Sequence, residues 1–143
     1  MNLTDHFSLE ELTFSEVGIR HGIDNTPTSE ILVCLTHTAQ GLERIRTLIG
    51  KPIHVNSGYR SPKVNAAVGS LPTSQHLNGE AADITCKDIP PRELTQLIAD
   101  KRFDLGVDQV ILEFNTWTHV SFTENPRHAV LTIDHEGTKV GLA

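Results

Sequence analysis

The stretch Ser74-Gln75-His76-Leu77-Asn78-Gly79-Glu80-Ala81-Ala82-Asp83-Ile84 constrains the fold more than any other part of the chain. Gly79 can adopt a left-handed backbone, which lets the chain turn sharply after His76. Ala81 and Ala82 allow close backbone packing, and Ala82-Asp83-Ile84-Thr85-Cys86 then reads as a short buried strand. Asp83 is therefore a carboxylate inside an apolar run, and a buried charge needs a metal or a strong hydrogen-bond donor as partner. A second histidine, His119, lies downstream in Trp117-Thr118-His119-Val120-Ser121-Phe122. Two neutral imidazoles and one carboxylate form the ligand set of a zinc site that keeps one position open for water; closed structural sites take four protein ligands, usually with cysteines. If His76, Asp83 and His119 converge, the chain has the makings of a metallohydrolase. The competing reading bonds Asp83 to backbone amides at a strand end and leaves His76 in a loop.

The rest of the chain supplies a scaffold for such a site. Ser8-Leu9-Glu10-Glu11 is a capping-box pattern that opens a short helix, and a second short helix is expected around Ser15–Ile19. From Ser29 to Ile49, apolar Ile31, Leu32, Leu35, Ala39, Leu42, Ile45 and Ile49 recur at helical spacing. Gly50 and Pro52 end that helix as a C-cap glycine and a breaker. Ile53-His54-Val55-Asn56 reads as a strand, and Ser61 caps a small helix with Pro62 at its first position and Gly69 beyond its end. A helix opens within Asp88–Leu94 and carries Leu94, Leu97 and Ile98 on one face. Gln109–Phe114 and Trp117–Phe122 read as strands joined by an Asn115-Thr116 turn, followed by a strand over Ala129–Ile133 and a Glu136-Gly137 turn. Helices come mostly first and hairpin-linked strands later, which predicts an α+β fold with a mainly antiparallel sheet and helices packed on one side.

With 143 residues the chain is long enough for one hydrophobic core and too short for two ordinary domains, so residues 1–143 are expected to form a single domain. No run approaches the ~18 apolar residues of a membrane span. The start, Met1–His6, has neither a basic region nor an apolar segment, and reads as a chain made in the cytoplasm without a signal peptide. A net charge of −6 with no basic tract argues against nucleic acid and anionic membranes as partners. The two cysteines, Cys34 and Cys86, give no disulfide framework and read as buried free thiols. A monomer is expected.

Upstream of the opening stretch stands Val55-Asn56-Ser57-Gly58-Tyr59-Arg60-Ser61-Pro62-Lys63-Val64-Asn65-Ala66-Ala67-Val68-Gly69. Together with Ser74 through Asp83 and the Trp117–Ser121 strand, this block resembles the zinc D-alanyl-D-alanine carboxypeptidase family. That family includes bacterial cell-wall peptidases, D-Ala-D-Ala dipeptidases, phage endolysins that cut L-alanyl-D-glutamate bonds, and the peptidase-like hedgehog signalling domain. The resemblance runs from about His6 to His119 and implies a hedgehog/DD-peptidase-like fold, a Zn²⁺ cofactor held by His76, Asp83 and His119, and peptidoglycan stem peptides as substrates. Because the substrate lies outside the cytoplasm, a phage or prophage lysis protein that reaches the wall after release fits the missing signal peptide.

A hydrolase of this kind also needs a general base to take a proton from water and return it to the leaving amine. Glu113 is the candidate: it precedes His119 across the expected hairpin, and its apolar flanks Leu112 and Phe114 favour a raised carboxyl pKa. Some relatives carry the acidic residue three positions before the last histidine, where this chain has Thr116; hedgehog-type relatives place a glutamate further back, as here. The alternative makes Glu113 a solvated strand-edge charge. Arg60, the arginine of the Ser-Gly-Tyr-Arg block, offers a guanidinium fork to a substrate carboxylate or carbonyl; the alternative is a structural ion pair, with Glu80 as the candidate partner. Ser74 and Gln75 are candidates for hydrogen bonds to substrate backbone. Ser57 and Tyr59 read as structural, and Trp117 and Phe122 as sheet packing. His54 could lie near Asp83; His6, His21, His37, His128 and His135 read as surface or locally bonded. Asp104 and Asp108 near Gly106 lack the ordered ligand series of a calcium loop. Two rivals to a peptidase remain: a zinc-binding interaction module with little turnover, and a virion component of the same fold.

Overall fold

The computed structural model describes residues 1–142. Six helices and six strands run in the order α1 (Leu9–Thr13), α2 (Glu16–His21), α3 (Ser29–Ile49), β1 (His54–Ser57), α4 (Pro62–Ala67), β2 (Ala81–Thr85), α5 (Pro91–Asp100), α6 (Arg102–Leu105), β3 (Gln109–Glu113), β4 (Trp117–Ser121), β5 (Ala129–Asp134) and β6 (Gly137–Val140), with a 3₁₀ turn at Gln75–Asn78 before β2. The strands form one sheet in the order β1-β2-β4-β3-β5-β6. Every neighbouring pair is antiparallel except β3 and β5, which run parallel. The α+β class and the mainly antiparallel sheet are as expected. Among the described residues no helix is long and apolar enough to cross a membrane.

Local chemistry sets the helix ends. Ser8 and Glu11 make both bonds of the capping box at α1, and Thr28 caps α3, whose span matches the expected one. Ser61 accepts from Val64 N at the start of α4. Burial then sorts the faces: Leu35, Ala39, Leu42 and Ile45 of α3 have no exposed surface and join Ala82, Ile84, Val110 and Val120 of the sheet in one core. Gly41 sits in the middle of α3, where glycine costs about 1 kcal/mol relative to alanine. The reason is steric, since a Cβ there would lie 2.4 Å from the Phe122 ring. Phe122 is therefore core packing, as expected.

Alternation along β4 decides which face bears the site. Thr118 meets Thr95 of α5, hydroxyl to hydroxyl at 2.8 Å, so α5 covers the face that Thr118 and Val120 share. Trp117, His119 and Ser121 project to the other face. Three elements were not anticipated: the 3₁₀ turn, α6 and β6. Cys34 is half-exposed rather than buried, while Cys86 is buried.

Asp108, discounted as a calcium ligand in the sequence, is a structural node. It is buried and accepts from Arg127 backbone N (2.9 Å), Arg127 Nε (2.9 Å), Arg127 Nη2 (2.7 Å) and Gln75 Nε2 (2.8 Å). The Arg127 hydrogen bonds, against a smaller cost of burial, hold its carboxyl well below the usual carboxylate range. Asp108→Asn exchanges an acceptor for a donor facing these donors. Hydrogen bonds to charged groups are worth about 1.5–3 kcal/mol, and Arg127 is largely exposed, so solvent screening places the expected loss near the lower end, about 2 kcal/mol. The native pKa is depressed, so this stabilisation is complete above the unfolded-state value of about 4 and fades as pH falls below it. Chemical denaturation of both proteins from pH 7 to pH 3 should show the gap narrowing with acid.

Candidate metal centre

Three segments deliver the centre. His76 sits in the 3₁₀ turn, whose end is set by Gly79 with φ of 73°. Asp83 is the middle residue of β2, and His119 stands directly opposite it on β4. All three side chains are buried, and their ligand atoms lie within 4.8 Å of one another. His76 Nε2 and His119 Nδ1 both approach Asp83 Oδ1, at 3.2 and 3.1 Å, and the two rings meet edge to face with centroids 5.1 Å apart.

The donor set suits a zinc ion. Tetrahedral zinc with bonds of ~2.0–2.2 Å has neighbouring ligand atoms about 3.3–3.6 Å apart, close to the two contacts at Asp83. His76 Nδ1 lies 2.7 Å from the Gly58 carbonyl, which only a protonated Nδ1 can satisfy, so a ring with a single proton turns its Nε2 lone pair toward a carboxylate oxygen. A cation or an added proton between them removes that repulsion. A metal-bound histidine commonly has its second nitrogen fixed in this way by a carbonyl. Burial works against ionisation of Asp83, but the adjoining imidazoles of His76 and His119, whose charge and hydrogen bonds favour the carboxylate whenever a ring carries its second proton, outweigh it and hold the carboxyl well below its ordinary range.

The Ser57–Ser61 corner is shaped around His76. Arg60 N donates to His76 O at 3.1 Å, and Tyr59 N donates to Leu12 O at 2.8 Å. Asn25 clamps the corner from outside: its amide donates to Thr13 O and Tyr59 O, and its Oδ1 accepts from Ser61 N. Gly58 is forced by close approach, because a Cβ there would lie 2.4 Å from the backbone oxygen of Leu12. Gly58→Ala must push its own carbonyl off His76 Nδ1. We expect a destabilisation of about 1–3 kcal/mol together with about 10–100-fold weaker zinc binding, measurable by thermal denaturation and chelator competition.

A bulge between Val55 and Ser57 sets Ser57 opposite Asp83. Ser57 Oγ accepts from Arg60 Nε at 3.1 Å, and Arg60 Nη2 reaches Asp83 Oδ2 at 3.3 Å. The ion-pair partner of Arg60 is thus Asp83 rather than Glu80, whose carboxylate accepts from Asn78. His54 lies exposed at the far end of β1, opposite Thr85, and does not approach Asp83.

Glu113 closes the arrangement on the β3 side. Its Oε2 is 3.9 Å from His119 Nδ1, and its Oε1 accepts from Trp117 Nε1 at 2.8 Å. Burial, reinforced by the charge of Asp83, raises its carboxyl above the ordinary value, while His119 and the Trp117 hydrogen bond pull the other way. Its backbone leads into a turn in which Phe114 and Asn115 both have φ of 53°. Left-handed backbone costs an L-residue roughly 1–2 kcal/mol, and the bond from Phe114 N to Ile133 O at 2.8 Å holds it in place.

The centre meets, through Asp83, a cleft of about 260 Å³ bounded also by Phe14–Val17 of the α1–α2 segment, Asn56, Ser57, Arg60, Val68 and Trp117. Three larger concavities, of about 360, 480 and 300 Å³, include none of the three clustered residues. Trp117, expected as sheet packing, is a half-buried wall of this cleft. Its position two residues before His119 on one strand was the available signal. Ser74 Oγ accepts from His76 N and caps the 3₁₀ turn. Gln75 is drawn to Asp108, and its Oε1 is buried with no partner among the described residues. Neither residue lines the cleft.

No curated protein matches the chain. The family model described as Peptidase M15 matches residues 5–121, a span that holds the Ser57–Ser61 corner, the His76–Asp83–His119 cluster, Glu113 and Trp117. The chain therefore belongs to the M15 family of peptidases, the family of the zinc D-Ala-D-Ala carboxypeptidases.

Proposed function

We propose that the protein is a zinc-dependent peptidase that hydrolyses peptide bonds in peptidoglycan stem peptides. One observation carries the reading: a buried His76–Asp83–His119 cluster meets, through Asp83, a cleft that also holds Arg60, with the Glu113 carboxylate beside it. His76 Nε2, Asp83 and His119 Nδ1 would hold the ion. Bound there, zinc supplies Lewis acidity that polarises a carbonyl and lowers the pKa of water to about 7.

The chain's own residues divide the remaining work. Glu113 takes a proton from the attacking water and returns it to the leaving amine, and its raised pKa suits both directions of transfer. Arg60 spends Nε on Ser57 and Nη2 on Asp83. The rest of its five-donor fork serves a substrate carboxylate or the developing oxyanion. Such a cation suits stem peptides, which present a free carboxylate close to either candidate bond, D-Ala-D-Ala or L-Ala-D-Glu. Ser74 supports His76 by accepting from its backbone N–H, whereas Gln75, tied to Asp108 and absent from the cleft wall, is not placed to meet a substrate.

Incubating the zinc-loaded protein with purified peptidoglycan and synthetic stem peptides, followed by mass spectrometry, tests the proposal. Release of terminal D-alanine identifies a carboxypeptidase, and cleavage after L-alanine an endopeptidase. A folded, zinc-bound protein that cuts neither substrate would overturn the proposal in favour of a binding module.

A further inference from the structure

We propose that Trp117 is a positioning residue that fixes the Glu113 carboxylate toward the metal centre, an inference that rests on Glu113 being the base. Glu113 and Trp117 stand directly opposite one another across the β3–β4 hairpin, and alternation along β4 places the indole on the face of His119. The indole N–H is a donor only. It ties Oε1 at 2.8 Å, leaving Oε2 as the oxygen on the side of the centre, 3.9 Å from His119 Nδ1. The Phe114 ring packs against the indole at a centroid distance of 6.0 Å. The left-handed turn that carries Phe114 is itself bonded to β5 through Ile133. Without the indole bond a glutamate on this strand can swing among rotamers, and a displacement of about 1 Å at a reacting group can cost on the order of 10²-fold in rate.

Trp117 is the chain's single tryptophan, so its indole gives one side-chain ¹H–¹⁵N resonance. That resonance is expected downfield in the wild type and shifted upfield in Glu113→Ala. A resonance indifferent to Glu113→Ala overturns the bond, whatever the activity. Global incorporation of the benzothiophene isostere of tryptophan replaces this N–H alone with sulfur. The isostere protein is expected to keep its zinc and its KM, to lose about 10–100-fold in kcat, and to show Glu113 in more than one rotamer in crystals. Trp117→Phe, which also trims the cleft wall, is expected to lose kcat similarly while raising KM. Wild-type kcat in either protein overturns the positioning role. If the wild type cuts no stem peptide, the proposed function fails, and the rotamer then decides separately: a single unchanged Glu113 rotamer in the isostere protein overturns the role of Trp117.

Discussion

His119→Ala is expected to lose stoichiometric zinc while remaining folded. Changes to the partners that merely orient a ligand cost about 10–100-fold in metal affinity, so deleting a ligand should cost more than 100-fold. The remaining pair, His76 and Asp83, sits on two neighbouring segments and supplies only two donors, too few for a tetrahedral zinc site that keeps one position open. Metal analysis after dialysis against a weak chelator, with circular dichroism to check the fold, measures the effect. Full zinc occupancy in this variant would remove His119 from the ligand set and undo the centre described here. Zinc loss in His119→Ala with retention in Glu113→Gln would separate ligand from base.

Glu113→Gln is expected to leave fold, zinc and substrate binding intact while kcat falls roughly 10²–10⁴-fold, the range attributed to a general acid–base group. The substitution suits the question because the glutamine carbonyl can still accept the Trp117 indole bond seen at Oε1. Only the ability to take up a proton at Oε2 disappears. Steady-state kinetics with KM reported separately reads the result. Loss of zinc would instead make Glu113 a metal ligand or support, and unchanged hydrolysis would move the base elsewhere.

The His76–Asp83–His119 cluster was legible because its chemistry is written in residue types that tolerate few other roles. An aspartate inside Ala82-Asp83-Ile84 demands compensation wherever it is buried, and histidines on either side of it in sequence are the natural sources. The long helix was equally legible: its caps and apolar spacing are local, and Ser29–Ile49 emerged with the expected ends. What escaped depends on residues far apart in the chain. The parallel pairing of β3 with β5 requires the chain to leave β4, pass Asp108 and return, a route fixed by the Arg127 bonds rather than by any local pattern. The last strand, Gly137–Val140, is exposed throughout and carries no alternating apolar signature. Asn25 carries no local sign of such a role, yet its three bonds hold the corner behind His76. Trp117 was misjudged for a different reason. Strand alternation was sufficient to align it with His119, but aromatic residues in strands so often fill cores that propensity outweighed position.

The opposition of Asp83 and His119 across β2 and β4 would also give a bound ion a part in folding. Slipping β4 by one residue would turn His119 to the α5 side and present Thr118 or Val120 instead. An ion held there would discriminate between strand alignments that backbone hydrogen bonds alone scarcely distinguish. Its free energy of binding would accrue only to the chain in the correct register: about 2.7 kcal/mol when free metal exceeds its dissociation constant a hundredfold. Metal supplied during refolding would act as a proofreader of the sheet.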